Sequence, residues 1–400
     1  MSVFYETKSG KIINADNINT FDYIKSESVD SCISDFPYSI SFMGKDWDAF
    51  VDFYTWCKLR SDILIKVLKS GGYAAIFGSP KTNHRMKCAF EDSGFEIVEE
   101  LDWIYLSGMP HNQDVGKMFE SDGNKEFADM YKDWKTSGLK PAHETVTIFQ
   151  KPLFGTYIEN IEQYGCGAMN IGACRVPISK EDIDMINAKS SKNPTKNYSD
   201  REDKVYGKFS EDRASEANVD GRFPPNVVFD ELMAKELDSQ TGVTKSSGGS
   251  GEASTKNRAR HIYGAFNQEQ NENYQNDSLG GYGDIGGCSR IFPIFKYNAK
   301  VSPSERRLPN GKRNPHVTLK PVELIKWLIK LLTPKDGVTI DITAGSCTHG
   351  VACEELNRDS GYKLHYIDIE LCNDEENPYC DVGKQRVEFI ANSLRRNRLF

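Results

Sequence analysis

The sequence predicts an α/β protein whose sheet is assembled from both ends of the chain, and three observations carry that expectation. Short apolar strands alternate with amphipathic helical stretches over roughly the first 110 residues. The same alternation returns after residue 321. Between the two blocks, over about residues 160–290, the composition shifts to Ser, Asn, Asp, Gly and Lys, too polar to bury.

Taken in order, residues 28–35 (SVDSCISD) read as a strand that ends on an acid. Residues 48–69 carry Phe50, Phe53, Tyr54, Cys57, Ile63, Leu64, Val67 and Leu68 at helical spacing, and Gly71 and Gly72 are expected to end that helix. A buried strand follows at 73–77, a helix at 81–93 and a strand region at 95–106, before the Gly108-Met109-Pro110 break. Within the polar middle, SSGGSGEAST (246–255) and NQEQNENYQNDSLGGYG (267–283) read as loops. Beyond it come a helix at 321–332, a strand at 338–342, a helix at 350–358, a strand at 363–369 and a last helix at 382–395. This gives an organisation of 1–155, an insert at 156–295, and 296–400.

The bulk properties narrow the class. A hydrophobic content of 38% with 21 Phe supports a packed core, and a mean hydropathy of −0.56 an extensive polar surface. No run approaches the ~18 to 20 apolar residues of a membrane span. Residues 1–11 lack the charged-then-apolar pattern of a signal peptide, so a soluble cytoplasmic protein is expected. Ten cysteines include no C-x-x-C pair, and the couples Cys166/Cys174 and Cys347/Cys353 lack zinc-site spacing; reduced thiols and no metal are expected. With a net charge of −8, any polyanionic partner has to meet local cations. Candidates are Lys296, Lys300, Arg306, Arg307, Lys312 and Arg313, set against Glu305 alone, and Arg395, Arg396 and Arg398.

Two constellations bear chemistry. Asp35-Phe36-Pro37-Tyr38 follows directly on a strand, where the carboxyl edge of an open α/β sheet binds ligands. A carboxylate there can accept a hydrogen bond from an amine, Pro37 stiffens the turn, and Tyr38 offers a ring to stack on a flipped base. The bland alternative is a strand that ends in an Asx-type turn, with Tyr38 as a core aromatic. The second constellation, residues 341–350 (DITAGSCTHG), links an apolar strand to a helix through Gly345 and Gly350. Such a turn suits a nucleoside cofactor, and the missing Lys-Ser/Thr argues against a triphosphate. The next strand ends on Glu370, where an acid meets ribose hydroxyls in nucleoside-binding sheets.

These segments resemble the DNA amino-methyltransferases in their permuted branch, particularly the bacteriophage-type adenine-specific methylases. The family pattern Asp-Pro-Pro-Tyr-Gly-Ile-Ser-Phe-Met-Gly is matched by DFPYSISFMG (35–44). WIYLSGMP (103–110), DVGK (114–117), LKPAHE (139–144), GRFPPNVVFD (221–230), HVTLKP (316–321) and PYCDVGKQRVEFI (378–390) are also similar, in family order, over nearly the whole chain. The resemblance implies a Rossmann-like methyltransferase sheet with circularly permuted motif order and a target-recognition insert. It implies S-adenosyl-L-methionine as cofactor and double-stranded DNA as partner. Asp35 becomes the acceptor for the target amine, the Phe36 carbonyl a second acceptor, and Tyr38 the stacking platform. Asp341, Thr343, Ala344, Gly345, Ser346 and Cys347 line the cofactor's methionine part, Glu370 its ribose and Asp16 its adenine; Lys320 lies near the cofactor.

Three residues depart from the family pattern. Phe36 replaces the first Pro, Cys347 replaces a second Gly and so points a side chain at the expected cofactor path, and His349 replaces a Thr, which reshapes the pocket. Adenine is favoured because Asp rather than Ser opens the tetrapeptide. The alternatives are a cytosine-N4 enzyme and a catalytically weak DNA-binding protein whose cofactor site Cys347 and His349 alter.

Overall fold

A computed structural model describes residues 3–40, 48–106, 108, 110, 112–184, 187, 218–245, 285–295, 307–316, 318–372 and 378–397. Along the chain run β1 (Val3–Glu6), β2 (Gly10–Asn14), β3 (Val29–Asp35), α1 (Phe53–Val67), β4 (Leu68–Gly78), α2 (Asn83–Asp92) and β5 (Glu96–Ile104). There follow α3 (Val115–Ser121), α4 (Lys125–Met130), β6 (His143–Gln150), α5 (Tyr157–Tyr164), β7 (Val227–Asp230), α6 (Glu231–Thr241), β8 (Thr244–Lys245), β9 (Ile285–Gly286) and β10 (Ile294–Phe295). The last block holds α7 (Val322–Leu332), β11 (Val338–Asp341), α8 (Thr348–Asp359), β12 (His365–Glu370) and α9 (Tyr379–Asn397). The loop stretches read at 246–255 and 267–283 and most of the basic stretch 296–313 lie outside the described residues, as do residues 41–44 of the first family-like segment.

Contacts divide the chain into two units: residues 1–174, 224–236 and 292–400 form the first, and residues 175–223 and 237–291 the second. The first unit holds a ten-stranded sheet in the order β1-β2-β12-β11-β3-β4-β6-β5-β7-β10, so the early and late blocks do share one sheet. Strands β2, β12, β11, β3 and β4 pair in parallel, and β5, β7 and β10 likewise. Between these groups β6 runs antiparallel to both β4 and β5. The inner strands of this Rossmann-like sheet, β3 and β4 above all, are buried on both faces. One core joins α7, α8 and α9 to the sheet through Leu324, Leu328, Val351, Leu356, Tyr366 and Val387; the other joins α1 and α2 through Cys57, Leu64, Met86 and Phe90.

Local signals explain most boundaries. Helix α1 starts at Phe53 because the Asp52 side chain caps it, accepting from the Thr55 N–H. Gly71 and Gly72 do not terminate that helix, as the sequence suggested: they lie inside β4, which begins at Leu68. Gly71 sits at φ +77°, in a strand whose pairing with β3 slips between Val29 and Ser31, and a Cβ there would overlap the buried Asn160 amide. A second correction concerns the thiols. Cys372 and Cys380 are joined in a disulfide where the end of β12 meets the start of α9, with a Cα separation of 6.1 Å inside the range such a bridge spans.

In the second unit, Val176 bridges Arg222, β8 pairs β9, and Arg222 is ion-paired with Asp182 at 3.2 Å. Among the described residues no helix is long and apolar enough to cross a membrane, and no cluster of His, Cys, Asp and Glu has the arrangement to hold a metal ion.

Candidate active site

All the site residues read from the sequence lie in the first unit, and strand direction explains why they meet. Parallel strands β3, β11 and β12 deliver Asp35, Asp341 and Glu370 to one carboxyl edge. Because β6 runs the other way, its beginning arrives at that same edge and brings Glu144 with it. Tyr105, the first residue after β5, arrives beside it. A loop that precedes α7 adds Lys320, whose side chain is buried.

Around Asp35 these groups form one polar cluster. The Lys320 ammonium donates to Asp35 Oδ2 at 2.6 Å and lies 3.3 Å from Glu144. The Tyr38 hydroxyl lies between the two carboxylates, 2.7 Å from Glu144 Oε2 and 3.2 Å from Asp35 Oδ1, and the Tyr105 hydroxyl reaches Glu144 Oε1 at 3.3 Å. Lys320 also sits over the rings of Tyr38 and Phe77, at 5.4 and 5.1 Å. Burial raises the Asp35 carboxyl above the usual carboxylate range; Lys320 pulls it back and Glu144 pushes it up. Burial works against the Lys320 charge, yet Asp35 and Glu144 hold its ammonium more firmly protonated than an ordinary lysine.

The turn after Asp35 is held from several sides. Thr82 donates to the Tyr38 carbonyl at 2.6 Å, and the Asp48 carboxylate accepts the Ser39 and Ile40 N–H groups at 2.7 and 3.1 Å. Phe36, where the family pattern has proline, is 1% exposed: its ring meets Trp56 edge-on at 5.1 Å and packs on Phe90. The ring thus anchors a turn that has lost one proline. Pro37 is half-buried beside it.

The second segment forms a cradle tied to the first. Asp341 Oδ1 accepts from Ser34 Oγ at 2.6 Å and from the Thr343 N–H at 3.0 Å, while Thr343 Oγ1 donates to the Asp35 carbonyl at 3.0 Å. Asp341 is itself held up to about 7 by burial, with nearby His349 opposing and Asp368 adding to the shift. Ala344 N–H donates to the Ile369 carbonyl at 3.0 Å and Gly345 N–H to the Glu370 carboxylate at 2.7 Å. Gly345 has φ +51°, and a Cβ there would overlap the His316 ring. Arg386 of α9 donates to the Ser346 carbonyl at 2.6 Å and to the Ser346 and Thr348 hydroxyls at 3.0 Å each; Asn314 adds a bond to Ser346. Asp16 follows β2, whose Asn14 pairs with Glu370, so both acids stand at one end of the cradle. Asp16 caps the turn after β2 and lies 3.7 Å from Arg60, which stacks on Trp56 at 3.9 Å.

Cys347, expected to point a side chain at the cofactor path, and His349, expected to reshape the pocket, are both buried side chains. Cys347 adopts the left-handed conformation at φ +57° and its thiol is wholly buried against Gly383 of α9. Burial first, then the acids around it, push that thiol well above its usual range. His349 is 1% exposed beneath the loop, with Nδ1 at 2.7 Å from Asp368 and Nε2 at 3.0 Å from Thr339. Neither side chain offers surface to a ligand. Lys320, expected near the cofactor, has its ammonium bonded to Asp35. Sequence reading missed Glu144, Tyr105 and Arg386 altogether, although Glu144 closes the family-like LKPAHE.

A family model described as a DNA methylase, N6_N4_Mtase, matches residues 29–382. Among curated proteins, the type II methyltransferase M.HindIII of Haemophilus influenzae is 25% identical over 200 residues, 40% of this chain and 64% of its own length. M2.LlaDCHI of Lactococcus lactis subsp. cremoris, another type II methyltransferase, is 27% identical over 128 residues, 27% of this chain and 46% of its own. The chain therefore matches between about half and two thirds of the length of these relatives. Among solved structures, the cytosine-N4-specific PvuII DNA methyltransferase aligns over 98% of this chain and 94% of its own, at 14% identity and a TM-score of 0.45.

Proposed function

Because the chain belongs to the DNA methylase family whose model spans residues 29–382, we propose that it transfers a methyl group from S-adenosyl-L-methionine to the exocyclic amino group of a base flipped out of duplex DNA, N6 of adenine. One observation carries the reading: the proposed acceptor and the proposed cofactor loop are latched together. Thr343 spans from the loop to the Asp35 carbonyl, and Ser34, one residue before Asp35, binds Asp341. The two partners of a transfer are thereby held at a fixed separation, which is most of what this chemistry asks of a protein.

The residues fit the cofactor. Gly345 at φ +51° lets the loop turn tightly against His316, and acids stand at the ends of the two neighbouring strands in the positions that favour ribose and adenine. S-adenosyl-L-methionine, when bound, supplies an electrophilic methyl group on a positively charged sulfur. Asp341, Thr343, Ala344, Gly345, Ser346 and Cys347 shape the loop that would receive it, Cys347 as a buried support, with Glu370 toward the ribose and Asp16 toward the adenine. Asp35 accepts a hydrogen bond from the target amine, which turns the nitrogen lone pair out of conjugation with the ring. The Phe36 carbonyl accepts a second, Pro37 holds the turn and the Tyr38 ring stacks on the base. The aspartate that opens the tetrapeptide favours adenine over cytosine. Target recognition falls to the insert at 156–295, between β6 and the late block.

The test is incubation of the protein with the tritiated methyl donor and mixed-sequence plasmid DNA, followed by sequencing that distinguishes modified bases. N6-methyladenine at a short recurrent site, lost in Asp35→Ala, is expected. N4-methylcytosine would sink the adenine assignment, and no incorporation the activity itself.

A further inference from the structure

Transfer to an amine releases a proton, and the polar cluster around Asp35 contains a second carboxylate to which the preceding reading gives no role. We propose that Glu144 is the outlet for that proton, which passes from Asp35 through the Tyr38 hydroxyl to Glu144 while Lys320 holds the three groups in line. The inference rests on the assignment of Asp35 as acceptor for the amine.

The step balances. The amine nitrogen forms a bond to the methyl carbon, the carbon–sulfur bond breaks with its electron pair left on sulfur, and the nitrogen then carries one proton too many. Asp35 accepts it. Tyr38 takes a proton on its oxygen from Asp35 and releases its own to Glu144, so the phenol ends as it began. Its oxygen is within hydrogen-bond reach of both carboxylates, at 3.2 and 2.7 Å. No other co-reactant is needed.

Charge and burial support the direction. Two carboxylates meet one ammonium in the cluster, so a second carboxylate stands ready to take up the arriving proton. A plain counterion for Lys320 is already present in Asp35 at 2.6 Å, so Glu144 is not needed for pairing alone. The groups that face Asp35 are Lys320 from the loop before α7, Tyr38 from its own turn, Glu144 from β6, and, through Ser34, Asp341 from β11. Tyr105 faces Glu144 from the end of β5. Tyr38 itself is held well above the usual phenol range by burial and by the Asp35 and Glu144 charges, so it relays a proton without resting as a phenolate.

The experiment compares single-turnover methylation of plasmid DNA by the full-length wild type, Glu144→Gln, Glu144→Asp, Tyr38→Phe and the Glu144→Gln/Tyr38→Phe double variant across pH, with cofactor affinity measured by calorimetry. Glu144→Gln and Tyr38→Phe are expected to lose about 10²-fold in rate, the size of one lost proton-transfer group. Cofactor affinity should hold, the double variant should be no slower than either single, and Glu144→Asp should recover most of the rate. The acid limb of Glu144→Gln should also move to lower pH, because Glu144 no longer raises Asp35. Wild-type rate and pH profile in Glu144→Gln, or losses that multiply in the double variant, would overturn the relay. If Glu144→Gln does not melt cooperatively, Glu144→Asp and Tyr38→Phe decide alone: wild-type turnover in Tyr38→Phe overturns it. An Asp35→Ala variant that methylates normally would instead overturn the assignment beneath it.

Discussion

Replacing Gly383 by alanine in α9 should destabilise the protein, although the same change in a helix interior ordinarily stabilises it by about 1 kcal/mol. The reason is Cys347, which stands where the family pattern has glycine. A Cβ on Gly383 would overlap the Cys347 sulfur and lie 2.9 Å from its Cβ, with the Ser346 carbonyl carbon at an ordinary 3.6 Å. Overpacking of this kind costs about 1–3 kcal/mol, so the net change is a loss of roughly 1 kcal/mol. In a Cys347→Gly background the sulfur and its Cβ are gone, and Gly383→Ala should then gain about 1 kcal/mol. The coupling between the two positions is therefore about 2 kcal/mol, within the range that touching residues show. Urea unfolding of the four proteins of this cycle measures it. If Gly383→Ala stabilises the wild-type background as much as the Cys347→Gly background, the two residues do not compensate one another.

Other outcomes follow from the site. S-adenosyl-L-methionine at a hundredfold over its Kd should raise stability by about 2.7 kcal/mol by mass action, and a melting curve unmoved by millimolar cofactor would refute the cradle assignment. Lys320→Met removes the charge that lowers the Asp35 pKa, so the acid limb of methylation should move to higher pH, opposite to Glu144→Gln; a shift in the same direction for both would contradict the charge argument. Folded Asp341, held up to about 7 by burial, binds its proton more tightly than an unfolded carboxyl near 3.8. It therefore adds stability that is present below 3.8 and lost as pH rises to about 7, and Asp341→Asn should flatten stability across that window, as urea midpoints at several pH values would show. Deleting residues 246–283, whose composition holds too few apolar groups to anchor a core, should leave cooperative melting intact, and loss of that cooperativity would count against it.

Periodicity and turn chemistry made much of the sheet legible. Strands β3, β11 and β12 and helices α2, α7 and α8 fall within a few residues of their sequence-based bounds, because each is an apolar run closed by a cap, a glycine or an acid. The motif residues Asp35 and Glu370 were readable because each ends a strand, and Gly345 because it lies in the short turn between an apolar strand and a helix. Strand direction was not readable. HETVTIFQ carries the β-branched content of a strand, but nothing local says that β6 reverses, and only the reversal puts Glu144 beside Asp35. Nor does sequence spacing tell which way a side chain leaves a tight turn. Cys347 was expected to point at the cofactor path and His349 to reshape the pocket; a left-handed backbone at Cys347 turns its thiol into the core, and a buried acid holds the His349 ring beneath the loop.

The sheet order has a consequence for biosynthesis. Strand β11 lies between β3 and β12, and β12 in turn pairs with β2, so these two interior strands leave the ribosome long after the strands they join. At about 5–20 residues per second, roughly 15–60 s separate the emergence of Asp35 from that of Val338. Throughout that interval the nascent amino-terminal block presents unpaired strand edges, on β2 and on β3, in the interior of its future sheet. Its contacts are of long sequence separation, which slows closure further. The nascent chain is thus most exposed to misassociation before its last strands arrive, and a chaperone that shields those two edges would act where the need is greatest.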